Sequence, residues 1–68
     1  MWNFGEVVKV KVFIDGIVER RVVGSVAGTV HLCSESEFES ARKEHREPIA
    51  IGFPEPDVMK IEHQPVTI

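Results

Sequence analysis

The run Val7-Val8-Lys9-Val10-Lys11-Val12-Phe13-Ile14 is followed by Asp15-Gly16 and then by Ile17-Val18-Glu19-Arg20-Arg21-Val22-Val23. No other stretch restricts the fold as strongly. Side chains of a strand alternate between two faces, so Val8, Val10, Val12 and Ile14 share one side. Val7, Lys9, Lys11 and Phe13 share the other. Asp-Gly between two β-branched runs is a strong hairpin signal, because tight hairpin turns need positive φ. A two-residue Asp15-Gly16 loop would pair Val12 with Glu19 and Val10 with Arg21, setting two charges on the aliphatic face. A three-residue loop, Ile14-Asp15-Gly16, pairs Val12 with Val18 and Val8 with Val22, and sets Lys11 opposite Glu19. The second register is preferred, and it leaves Arg20 as the one charge on the apolar side, at a barrel rim.

Gly24-Ser25-Val26-Ala27-Gly28-Thr29 interrupts the pattern, as glycine does at a bend or bulge, and Val30–Cys33 completes a third strand. The second and third runs are read as separate strands rather than one bent ribbon. At Ser34 the period changes. Ser34-Glu35-Ser36-Glu37 is a capping box in which the hydroxyl takes the Glu37 amide and the Glu37 carboxylate reaches back to Ser34. Cys33 and Phe38 flank that cap as a hydrophobic staple. Glu35, Glu37 and Glu39 precede Arg42, Lys43 and Arg46, the order that the helix dipole favours, with Glu39 and Lys43 four apart. Pro48 stops the helix near Arg46. Its apolar stripe is only Phe38 and Ala41, ending at His45, so it is expected on a barrel mouth or sheet edge without forming a second core layer. Ile49–Phe53 reads as a strand, Pro54-Glu55-Pro56-Asp57 as a turn and Val58–Ile61 as a last strand.

Three strands, a helix and two strands resemble the oligonucleotide/oligosaccharide-binding fold, in which a helix joins the third and fourth strands of a five-stranded barrel. Gly52-Phe53-Pro54-Glu55-Pro56-Asp57-Val58-Met59-Lys60-Ile61 resembles the C-terminal end of SH3 domains, where a short helical turn leads into the last strand. The chain has no Tyr, and Trp2 is its only Trp, so binding of polyproline in an aromatic groove is not carried over. The fold class is therefore mainly β (α+β by content). We expect one domain over 1–68: a small five-stranded, partly open barrel of order β-β-β-α-β-β with one short helix at about 34–46. Residues 64–68 form a tail or an edge strand.

Composition limits the chemistry. A net charge of −3 makes the chain as a whole no polycation, and a single cysteine allows no internal disulfide. Met1-Trp2-Asn3-Phe4-Gly5-Glu6 has no basic, apolar or cleavage region of a leader, and the charge-free stretch Val22–Ser34 is short of the ~20 residues of a membrane helix. The expectation is a cytoplasmic protein without a membrane partner.

Lys9, Lys11 and Phe13 share one strand face with Arg21 across from them, the aromatic-among-cations pattern that binds single-stranded nucleic acid. A solvated face kept from aggregating by its lysines accounts for the same residues. His31 and Cys33, two apart on a strand, are metal-ligand types, yet their spacing with His45 and His63 fits no zinc pattern. Cys33 before a helix start is placed where thiols become reactive, and equally where a staple buries an inert sulfur; the staple is preferred. Gly24–Thr29 lacks the spacing and the lysine of a phosphate loop. Glu55 and Asp57 in a Pro-rich turn, and Ser34, Ser36 and Ser40 on a helix, read as solvated groups. Neither a catalytic constellation nor a cofactor site is expected. The functional expectation is a small non-catalytic interaction module, binding another protein or a second copy through exposed apolar residues such as Trp2, Phe4 and Phe13. Single-stranded nucleic acid on the Lys9/Lys11/Phe13/Arg21 face is the alternative.

Overall fold

The computed structural model describes residues 2–61, so the expected tail or edge strand at 64–68 lies outside the described residues. Strands β1 (Val7–Val12), β2 (Gly16–Val26) and β3 (Thr29–Cys33) are followed by helix α1 (Glu35–Glu44), strand β4 (Ile51–Pro54), a 3-10 turn at Glu55–Asp57 and strand β5 (Val58–Lys60). The sheet is antiparallel throughout, with spatial order β4-β3-β2-β1-β5.

The alternation of β1 is realised: Val8 and Val10 are fully buried, while Lys9 and Lys11 are exposed. The hairpin register is a correction. Lys9 pairs with Glu19, Val10 with Val18 and Val8 with Arg20, and Phe13-Ile14-Asp15 make the turn. Ile14, expected inward, lies in that turn and is exposed. Gly16 has the expected positive φ, +78°, but stands opposite Val12 as the first residue of β2. The shift relative to the expected pairing is two residues, an even number, so each side chain keeps its face. Val58 of β5 also pairs with Val10, so this register aligns Val18, Val10 and Val58 in one inward row across three strands.

β2 and β3 are separate strands, as read. The register slips between Val22 and Gly24, a bulge that bends β2. Before it Val22 faces inward opposite Leu32; after it Ser25 stands opposite the buried Val30, and Val26 is turned out. The connection is a tight turn in which both Ala27 (φ 50°) and Gly28 (φ 83°) have positive φ.

Ser34 caps α1, its Oγ accepting from the Glu37 N–H at 3.0 Å. The other half of the expected capping box is not made: the Glu37 carboxylate accepts from Arg46 and from the Ile49 N–H instead. Glu39 pairs with Arg42 rather than with Lys43. The helix ends at Glu44, short of Arg46, because His45 adopts φ 54° and its N–H and that of Arg46 fold back on Arg42 and Ala41 carbonyls.

The core comprises Val8, Val10, Val22, Val30, Leu32 and Val58, with Trp2, Val12, Val18 and Phe53 packed against it. Each fully buried aliphatic side chain contributes ~1.5–3 kcal/mol, so a few residues carry this small fold. As expected, the helix adds no residue to that core cluster. Phe38 and Ala41 are buried with Cys33, on the sheet face opposite Leu32, and Phe4 packs on Phe38 with ring centroids 5.4 Å apart. β4 and β5 form the two edges of the order and do not pair, so the barrel stays open.

A non-glycine residue held left-handed costs ~1–2 kcal/mol, and asparagine tolerates it far better than alanine. Ala27→Asn should therefore stabilise the fold by about 0.5–1 kcal/mol, read as a higher urea midpoint with an unchanged slope.

Candidate functional site

The four residues expected to face nucleic acid do not act as one group. Lys9 and Lys11 are exposed, and Phe13 is fully exposed at the hairpin tip. Arg21 is committed to the structure. Its Nε and Nη2 donate to the two Glu35 oxygens at 2.7 and 3.1 Å, its Nη1 donates to the Gly5 carbonyl at 2.8 Å, and its guanidinium lies 5.2 Å over the Phe38 ring. This bidentate, stacked geometry fastens α1 and the segment before β1 onto the sheet. The face keeps two lysines, with Glu19 opposite Lys9.

His31 is half-buried on β3 and Cys33 is buried; no group of three His, Cys, Asp or Glu side chains suited to a metal comes together among the described residues. Burial, more than the nearby Glu37 and Glu35 charges, pushes the Cys33 thiol up, away from the thiolate form of a nucleophile. Trp2 is held internally. It packs on the core, its Nε1 donates to Glu55 at 2.7 Å, and the Lys60 ammonium lies 4.9 Å over its ring. Phe4 is 65% exposed despite its contact with Phe38.

Lys11 and Phe13 line a hollow of about 500 Å³ with Val12 and Asp57. A further surface feature is one the sequence did not reveal as a site. The sheet coils until Val12 of β1 and Ile51 and Phe53 of β4 line one open groove of about 460 Å³. Leu32, Ile49, Cys33 and Ser34 add to its wall, and the charged groups on it are Arg20 and Glu37. Ile49 and Ile51 are 75% and 68% exposed, so the open barrel leaves apolar surface uncovered at this edge. The groove follows from β4 pairing on one side only, a long-range arrangement with no local signature. Its local signal is the uncharged run Pro48-Ile49-Ala50-Ile51-Gly52-Phe53-Pro54.

Backbone geometry defines what that edge offers. The Glu55 N–H donates to the Gly28 carbonyl at 2.8 Å, which continues the β3–β4 ladder beyond Thr29 and Pro54. Alternation from that bond turns the N–H and C=O of Phe53 and Ile51 towards β3, and those of Gly52 outwards. Pro54 adds an outward carbonyl and no N–H. A Cβ at Gly52 would sit 2.8 Å from Thr29 Cγ2, so any larger residue there forces the Thr29 side chain to move.

Arg20 lies on the inward face opposite Val8, as expected, and at the groove. Its Nη1 donates to the Glu19 carbonyl at 2.8 Å, and it has no carboxylate partner among the described residues. Glu37 is already occupied by Arg46 and Ile49.

The chain matches no protein-family model, no curated protein and no solved structure. No helix among the described residues is long and apolar enough to cross a membrane.

Two solution tests follow. The Arg21 hydrogen bond holds the Glu35 carboxyl below its ordinary value, and Arg46 and the Ile49 N–H do the same for Glu37. A depressed carboxyl contributes stability that is complete above its unfolded value, ~4.3, and is lost as pH falls through the lower folded one. Helix docking, followed by the Phe38 ring resonances, should loosen below about pH 4.3. The double substitution Glu35→Gln, Glu37→Gln should flatten that dependence. Iodoacetamide should alkylate Cys33 much more slowly at pH 7.5 than it alkylates the urea-unfolded chain, timed by mass spectrometry; equal rates would show an accessible thiol.

Proposed function

We propose that this chain is a small non-catalytic binding module whose partner is a protein, and that the β4 edge and its groove are the binding face. The observation that carries the reading is the conjunction at one edge of exposed Ile49 and Ile51, an open apolar groove and the outward backbone groups of Gly52. Sheet edges with such groups are the places where proteins add a strand, and an exposed apolar patch supplies the burial that makes the addition specific.

The groups near the groove support a binding role over catalysis. The thiol is pushed towards its neutral form, and the one carboxylate at the groove is already neutralised by Arg46. A catalytic acid, base or nucleophile needs the opposite tuning. We read no cofactor requirement into such a wall. The capture of Arg21 by Glu35 weakens the case for the nucleic-acid alternative, because a two-lysine face with one exposed ring is a poor stacking platform.

The architecture is consistent with that role. Strands one to four are neighbours in succession and the fifth returns beside the first, with a 3-10 turn between the last two. A Greek key would set the fourth strand beside the first. Of the two small-barrel resemblances, the arrangement is therefore more similar to the SH3-like one, and only the architecture, not the ligand, is taken from it.

The test compares two titrations by amide shifts. A pool of random extended octapeptides should move Val12, Arg20, Leu32 and residues 49–53, and should move them far less in Ile51→Glu. A pool of mixed single-stranded oligonucleotides at low salt should leave Lys9, Lys11 and Phe13 unmoved. Shifts at the lysine face with oligonucleotides, and none at the groove with peptides, would overturn the proposal.

A further inference from the structure

We infer that the occupant of the groove is an extended segment of another protein that adds as a strand to β4 and brings one acidic side chain to Arg20. This deepens the binding-module reading and rests on it. The ladder alternation gives the added strand a donor and an acceptor at Gly52 and a second acceptor at Pro54. Successive residues of an added strand point alternately into the groove and away from it. Those pointing in meet Ile49, Ile51, Phe53 and Val12, so they are apolar.

Charge decides what else enters. Arg20 lines the same volume as Ile49 and Ile51, is half-buried, and makes no salt bridge among the described residues. It also lines a second hollow with Glu19 and with Glu35, which Arg21 holds. A carboxylate delivered beside a half-buried arginine can make a charge-assisted pair with it. Glu37, the acid already at that wall, is neutralised by Arg46 and does not offset Arg20. A second copy docking edge to edge brings acids only from the two ends of its run, Glu47 and Glu55, and Glu55 is already held by Trp2 Nε1. The segment that it would contribute, Pro48-Ile49-Ala50-Ile51-Gly52-Phe53-Pro54, carries no charge. The occupant is therefore a different chain, with an apolar alternation interrupted by an aspartate or glutamate.

The probe is the acetylated and amidated heptapeptide Thr-Val-Thr-Glu-Thr-Val-Thr, whose glutamate shares a face with the valines. It is compared with the same peptide carrying glutamine, and with a version N-methylated at the residues facing Gly52. Binding is read by amide shifts and calorimetry on the full chain. The glutamate peptide should bind about tenfold more tightly than the glutamine peptide, the worth of one charge-assisted hydrogen bond. Arg20→Gln should erase that difference, with Leu32 methyl shifts showing that the variant is folded. N-methylation should abolish binding and the Gly52 amide shift. Equal binding of the two peptides, with shifts at 49–53, overturns the acidic clause and leaves the binding module standing. Binding that survives N-methylation overturns strand addition. Absence of shifts at 49–53 with either peptide, or sedimentation as a dimer that protects Gly52, overturns both.

Discussion

The burial of Val8 and Val10 between β2 and β5 is the interaction on which the rest of this molecule depends. Val10 is paired with Val18 on one side and Val58 on the other, so one residue joins the first, second and last strands. A register slip of one would turn Lys9 and Lys11 into that row, and a core this small has nothing to offset two buried ammonium groups. The two-residue difference between the pairing expected from the side chains and the pairing found preserves the inside and outside of every position. Face is fixed by hydrophobicity, whereas register among even shifts is fixed by the returning strand.

That distinction explains how much of the structure was legible in the sequence. Strand order along the chain, the Ser34 cap, the positive φ of Gly16 and the inward valines all rest on local rules, and all are present. The helix end at His45 and the turn at Ala27 were not readable as such, because both put a non-glycine residue in the left-handed region where the rules look for glycine. Glu37 was misread for a different reason. Its carboxylate had a local partner at Ser34 and a more distant one in Arg46 and Ile49, and the fold brings the charged partner within reach. The lysines and Phe13 were placed on an exposed surface correctly, but the role of Arg21 was set by Glu35, fourteen residues away, which no strand pattern reports. The groove is a property of non-closure, and non-closure has no sequence period.

The two edges are treated differently. β5 is three residues long, with Lys60 stacked on Trp2 and paired with Glu6, so charge and an aromatic ring cover that end. Proteins commonly guard sheet edges with short strands and lysines of this kind. β4 has no charge at all; its protection is Pro54, which withholds one donor, and its small extent. An edge left apolar opposite one that carries charge gives the described sheet two chemically different sides.

The pairing of Val8 with Lys60 has a consequence for how the chain can be cut. Because these two strands run side by side and antiparallel, the start of β1 and the end of β5 are neighbours. A linker from the end of β5 to the start of β1 would therefore be short, and the exposed Ala27-Gly28 turn is the place at which the same sheet can be opened.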